Sequence, residues 1–116
     1  MKRSAFLLGA VLAAAVGRGE APRPLVLVAR LDGEIHPAAA GFVRRSIAEA
    51  ADRRAALLVV EISTPGGLMT SMREITTDIV NSKVPVATFV APSGARAASA
   101  GFFILLSGDW ALGARE

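Results

Sequence analysis

Apolar residues along this chain fall into two alternating patterns, short continuous runs and longer stretches with helical spacing. Leu25-Val26-Leu27-Val28-Ala29-Arg30-Leu31 is an almost unbroken apolar run, as are Ala56–Ile62 and Pro85–Val90. Runs of this kind predict strands buried on both faces, the signature of a parallel sheet. Between them lie stretches with apolar residues three and four apart. Pro37 suits the first position of a helix that runs to about Arg54, with Phe42, Val43, Ile47, Ala50 and Ala51 on one side and Arg44, Arg45 and Glu49 mostly on the other. A second helix is expected up to about Ser82, with Met72, Ile75 and Ile79 on one face, and a third, very apolar one from about Ala95. Asp32-Gly33-Glu34, Ser63-Thr64-Pro65-Gly66-Gly67 and Ala91-Pro92-Ser93-Gly94 read as turns and loops. The order is β-α-β-α-β-α, so the fold class is α/β, with short crossovers joining parallel strands. Three strands alone would leave the outermost one with an unpaired edge.

Ahead of these elements, Lys2-Arg3 precede an apolar run from Ala5 to Val16. That run is shorter than the ~20 residues needed to cross a bilayer, and its charged start fits a secretory signal peptide or signal anchor over residues 1–21. The expected location is therefore the periplasmic or other extracytoplasmic side of a membrane. Residues 22–116 form the folded part, after a Pro- and charge-rich linker around Arg18–Pro24.

Composition narrows the chemistry. The formal charge is +3, with one His and no Cys in 116 residues. Much of that excess sits in Lys2, Arg3 and Arg18, so the folded part is near neutral and lacks the basic face expected of a nucleic-acid binder. Without Cys there is no disulfide, thiolate metal site or Cys nucleophile, and a lone His cannot build a multi-His site.

In open parallel sheets, sites form beyond the carboxyl ends of the strands. Two loops reach that end: Thr64-Pro65-Gly66-Gly67-Leu68, and Gly94-Ala95-Arg96-Ala97-Ala98-Ser99-Ala100-Gly101. Ser99 is flanked by small residues, as a serine on a tight corner entering a helix must be. The free N–H groups of a helix start suit a developing oxyanion, and glycine lets a backbone approach closely. On spacing alone, a small-residue serine is also an ordinary tight helix contact, and Pro-Gly-Gly an ordinary turn.

The runs Ser63-Thr64-Pro65-Gly66-Gly67-Leu68, Val84-Pro85-Val86 and Ala91-Pro92-Ser93-Gly94-Ala95-Arg96-Ala97-Ala98-Ser99-Ala100-Gly101 resemble the NfeD family over about Leu25 to Asp109. These are membrane-bound serine proteases of the ClpP/crotonase superfamily, related to signal peptide peptidase A. The resemblance implies a ClpP/crotonase-like parallel sheet, Ser99 as nucleophile, and the N–H groups of Gly67 and Ala100 as oxyanion hole. It also implies a Ser–Lys dyad, hydrophobic protein or peptide substrates including stomatin-like membrane proteins, and homo-oligomers. No metal or nucleotide is implied.

Two departures stand out. Ser63 occupies a position where the family usually has Asp. The family continues past a Met-Ala-Pro-Gly-Thr-like segment to its catalytic lysine, whereas here Trp110-Ala111-Leu112-Gly113-Ala114-Arg115-Glu116 follows Asp109. On this expectation the chain is the N-terminal, incomplete part of a ClpP-like domain with the dyad lysine missing. Lys83 precedes the third strand and falls at the wrong end of the sheet. His36, in the loop after strand one, is a surrogate base by position only, and Arg96 is a candidate contact to substrate backbone. The competing reading is a non-catalytic ClpP/crotonase-like scaffold that binds membrane-protein or peptide partners. Acyl-CoA chemistry on the same fold would usually need a carboxylate where Ser99 stands.

Overall fold

The computed structural model describes residues 22–114. The signal or anchor segment assigned to residues 1–21 lies outside the described residues. The elements in order are β1 (Val26–Asp32), α1 (Pro37–Asp52), β2 (Leu57–Ser63), α2 (Met69–Val80), β3 (Val86–Val90), α3 (Ala100–Ser107) and β4 (Trp110–Gly113). All four strands pair in parallel, in the order β1-β2-β3-β4. The α/β class and the parallel order expected from the apolar runs are present.

Strand register shows which side chains share a face. Ala29 pairs with Val60, Leu31 with Ile62, and Leu58 with Val86. These residues are all buried, together with Val43 and Ala50 of α1, Ile75 and Ile79 of α2, and Ile104 of α3. The three helices therefore cover one face of the sheet. Phe42, Ile47 and Met72 pack at the margin of that core, as their spacing implied, whereas Ala51 is exposed.

Three expectations need correction. The strands are not buried on both faces: Val26, Val28, Trp110 and Leu112, on the face away from the helices, are each about half exposed. A single helical layer among the described residues can cover only one face. The third helix begins at Ala100 and not near Ala95, because Ala97 is held in a parallel bridge with Thr64 and is unavailable to a helix. Finally, β3 is not an edge. Asp109 N–H donates to Val86 O (2.7 Å), Val86 N–H donates to Asp109 Oδ2 (2.8 Å), and β4 then runs alongside β3. Thr88 Oγ1, fully buried, faces both Leu105 O and Trp110 O, tying the end of α3 to the start of β4.

Helix α3 is apolar all round, yet only one side of it is buried. Ile104 faces the core, whereas Phe102, Phe103 and Leu106 are more than half exposed. Ile104→Ala is expected to cost about 2–5 kcal/mol through the cavity it leaves. Phe103→Ala on the exposed side should stay within about 0.5 kcal/mol. Urea unfolding of the two variants checks this, and equal losses would contradict the one-sided burial.

Candidate active site

The carboxyl ends of β1 and β2 and the loop after β3 converge on one small region. The chain leaves β2 at Ser63 and enters Thr64-Pro65-Gly66-Gly67. Gly67 forms a parallel bridge with Ile35, just after β1: Ile35 N–H donates to Gly66 O (3.0 Å) and Leu68 N–H to Ile35 O (2.8 Å). On the other side, Thr64 N–H donates to Arg96 O (2.7 Å) and Ala98 N–H to Thr64 O (3.1 Å). The glycine loop is thus stitched between the β1 exit and the loop carrying Ser99.

Glycine is required at both loop positions. Gly66 has φ +111°, and a Cβ there would lie 2.8 Å from Ser99 Cβ and 3.3 Å from Ser99 Oγ. A Cβ on Gly67 would fall 2.2 Å from Ile35 O. The Gly66 contacts put that residue's backbone directly against Ser99, joining two motifs more than thirty positions apart in sequence, while Gly67 is packed against Ile35.

Ser99 is the N-cap of α3, with φ +53° and ψ −119°. A non-glycine residue in that region costs of order 1–3 kcal/mol and persists only where its surroundings impose it. The same corner turns a serine hydroxyl outwards at the end of a sheet in nucleophile elbows. Ser99 is exposed and makes no side-chain cap bond, so its Oγ is not spent on the helix.

Gly101 N–H turns back to Ala98 O (2.9 Å) and Phe102 N–H to Ser99 O (3.0 Å), while among the described residues no acceptor is present for the N–H of Ala100 or of Gly67. The rim is apolar: Leu68 and Met69, directly after Gly67, are 56% and 61% exposed, and Phe102 follows on α3. A cavity of about 440 Å³ opens near the same end, lined among others by Asp32, Ser63 and Pro92, with the Arg30–Glu61 ion pair (3.2 Å) at its side.

The other candidates fall away from the serine or are occupied. Lys83 lies just before β3, at the opposite end of the strand from the Ser99 loop. His36 is the N-cap of α1, its Nδ1 accepting from Ala39 N–H (3.1 Å). A neutral imidazole accepting at Nδ1 carries its proton on Nε2, and so has no lone pair left for a serine proton unless the cap opens. Arg96 contributes its carbonyl to Thr64, and its side chain is exposed. Thr64, which the sequence marks only as part of the Ser63–Leu68 motif, is 1% exposed and bonds both loops, and its place directly before Pro65-Gly66-Gly67 is the signal in the sequence.

Residues 25–112 match the family model described as NfeD1b, N-terminal domain. The chain belongs to the NfeD1b N-terminal domain family. It is 33% identical over 108 residues to the membrane protein NfeD1b of Bacillus subtilis, covering 90% of this chain and 24% of that protein. It is 39% identical over 82 residues to the membrane-bound protease PH1510 of Pyrococcus horikoshii, covering 71% and 19%. The chain thus spans about a fifth to a quarter of these NfeD relatives. Among solved structures it resembles the 1510-N membrane protease specific for a stomatin homolog from Pyrococcus horikoshii (TM-score 0.71, 37% identity, 75% of this chain and 44% of that one). It also resembles a lysine-to-alanine variant of 1510-N in complex with a substrate peptide (TM-score 0.72, 37% identity, 74% and 39%). ClpP1 from Listeria monocytogenes shares the fold at 22% identity (TM-score 0.64, 70% and 46%). The NfeD1b-type domain here therefore has a ClpP-like protease fold.

The stitching at Gly67 yields a local test. Gly67→Ala is expected to lose about 1–3 kcal/mol by overpacking against Ile35. Amide exchange should accelerate at Ile35 and Leu68 and stay unchanged at Leu58 and Val60. Uniform acceleration across the sheet would mean that the Ile35–Gly67 bridge is not the point of contact.

Proposed function

We propose that this chain is the N-terminal part of a serine endopeptidase domain of the NfeD/ClpP class, with Ser99 as nucleophile and the N–H groups of Gly67 and Ala100 as oxyanion hole. The observation that carries the reading is the contact of the Gly66 backbone with Ser99 at a strained helix entry, and support comes from the N–H groups of the adjoining Gly67 and Ala100, which have no acceptor among the described residues. Ser99 Oγ would attack the scissile carbonyl carbon as its proton passes to a base. The carbonyl oxygen, now negative, would be held by the two N–H groups, where each donor is worth about 10²–10³ in rate. Collapse would expel the amine, and water would release the acyl group from Ser99.

A serine hydroxyl is a weak nucleophile without a neighbouring base. The NfeD resemblance calls for lysine. Lys83, the one lysine among residues 22–114, is at the far end of the sheet. The base in this reading comes from outside the described residues. The apolar rim of Leu68, Met69 and Phe102 supports hydrophobic protein segments as substrates, and relatives named as stomatin-specific proteases make a stomatin-like membrane protein the first candidate. Homo-oligomers and a membrane-associated, extracytoplasmic location belong to the same proposal. Among the described residues no helix is long and apolar enough to cross a membrane, so attachment would rest on other segments. A non-catalytic scaffold binding the same partners is the second reading, favoured by the absence, among the described residues, of a free base near Ser99.

A fluorophosphonate probe separates the two. In a chain extended to the length of its NfeD relatives, so that the base is supplied, the catalytic reading expects a covalent adduct at Ser99, absent in Ser99→Ala, and a scaffold gives none. The 116-residue chain by itself is expected to show no Ser99-dependent cleavage of casein or of a stomatin-like hydrophobic peptide. Cleavage abolished both by Ser99→Ala and by His36→Ala would instead identify His36 as the base. For location, a reporter enzyme fused after Arg23 should be active only outside the cytoplasm, and activity confined to the cytoplasm would contradict export.

A further inference from the structure

We propose that Thr64 is a positioning residue that aims both oxyanion donors, one through each branch of its side chain. This rests on the reading of Gly67 and Ala100 as donors. The hydroxyl branch acts on Gly67. The C=O of Gly66 and the N–H of Gly67 are opposite ends of one planar trans peptide, so fixing the carbonyl fixes where the N–H points. That carbonyl accepts from Ile35 N–H (3.0 Å) and, at longer range, from Thr64 Oγ1 (3.4 Å). The same Oγ1 accepts from Gly66 N–H (3.1 Å). One hydroxyl therefore grips the peptide groups on both sides of the Gly66 Cα, whose φ of +111° makes it the most permissive joint in the loop.

The methyl branch acts on Ala100. Thr64 Cγ2 fills the space beside Gly101, where a Cβ would come within 2.4 Å of it. Gly101 is the second residue of α3, so this contact sets the depth at which the helix start, and with it the Ala100 N–H, seats against the glycine loop. The backbone of Thr64 adds the bonds to Arg96 and Ala98 that hold the intervening chain. At 1% exposure Thr64 has no water to replace either contact. Val keeps the shape of Thr64 and loses the hydroxyl, and Ser does the reverse. A threonine that merely stabilises the fold would disturb both donors together, in proportion to lost stability. A positioning threonine splits them.

The test compares Thr64→Val and Thr64→Ser in the 116-residue chain by backbone amide NMR and thermal unfolding. Thr64→Val should move the Gly67 amide resonance more than that of Ala100. Thr64→Ser should leave the Gly67 amide in place and move that of Ala100. A Gly67 amide unmoved in Thr64→Val overturns the proposal, as does parallel movement of both amides in both variants. Should Thr64→Val not fold, Thr64→Ser decides: Ala100 moving alone supports the proposal, and both amides moving, or neither, overturns it. The amide shifts decide whether Thr64 aims the two N–H groups, whatever the fluorophosphonate test above decides about Ser99 as nucleophile.

Discussion

Ser99 is held at φ +53° and ψ −119°, a conformation it would not keep on its own, and the carboxyl end of the sheet is organised around that constraint. The energy that holds it is distributed over backbone bonds. Thr64 pairs with Arg96 and Ala98 on one side, and Gly66 and Leu68 pair with Ile35 on the other. Each bond is a modest contribution of about 0.5–1.5 kcal/mol, but their sum is enough to offset one strained corner. Because these are main-chain contacts, the loops can approach only where side chains are absent. Glycine at 66 and 67 follows from that closeness.

The sheet beneath supplies the rigidity. Its helix-covered face is filled by Leu58, Val60, Ile62, Val86 and Ile104, all nearly inaccessible to solvent, and β2 and β3 are flanked by strands on both sides. The loops carrying Gly67 and Ser99 leave from these two inner strands, so the site is built on strands that are paired on both sides. The outer surfaces differ. Apolar side chains stand half exposed on the uncovered sheet face and along α3.

Electrostatics plays a secondary part. The ion pairs Arg30–Glu61 and Arg44–Asp78 lie at the surface, where such pairs contribute little. The charge that matters for the proposed reaction is the partial positive charge of two backbone N–H groups, which requires no titratable group and is therefore built by chain geometry alone.

Helix stripes and the Pro37 helix start were legible in the sequence because burial on one side of a helix imposes its own periodicity, whereas the strands were legible as unbroken apolar runs that did not show which sheet face is left uncovered. The Thr64–Leu68 and Gly94–Gly101 loops were legible as motifs, since Gly, Pro and small residues mark places where backbone must turn or come close. Three things depended on tertiary structure. β4 is only four residues long and carries no alternation of its own, so its pairing comes from the Asp109–Val86 contact and from Thr88. The late start of α3 follows from the Thr64–Ala97 bridge, a contact between distant residues that overrides local helix preference. Thr64 touches both loops at once, because side-chain contacts across separate loops exist only after the chain has folded.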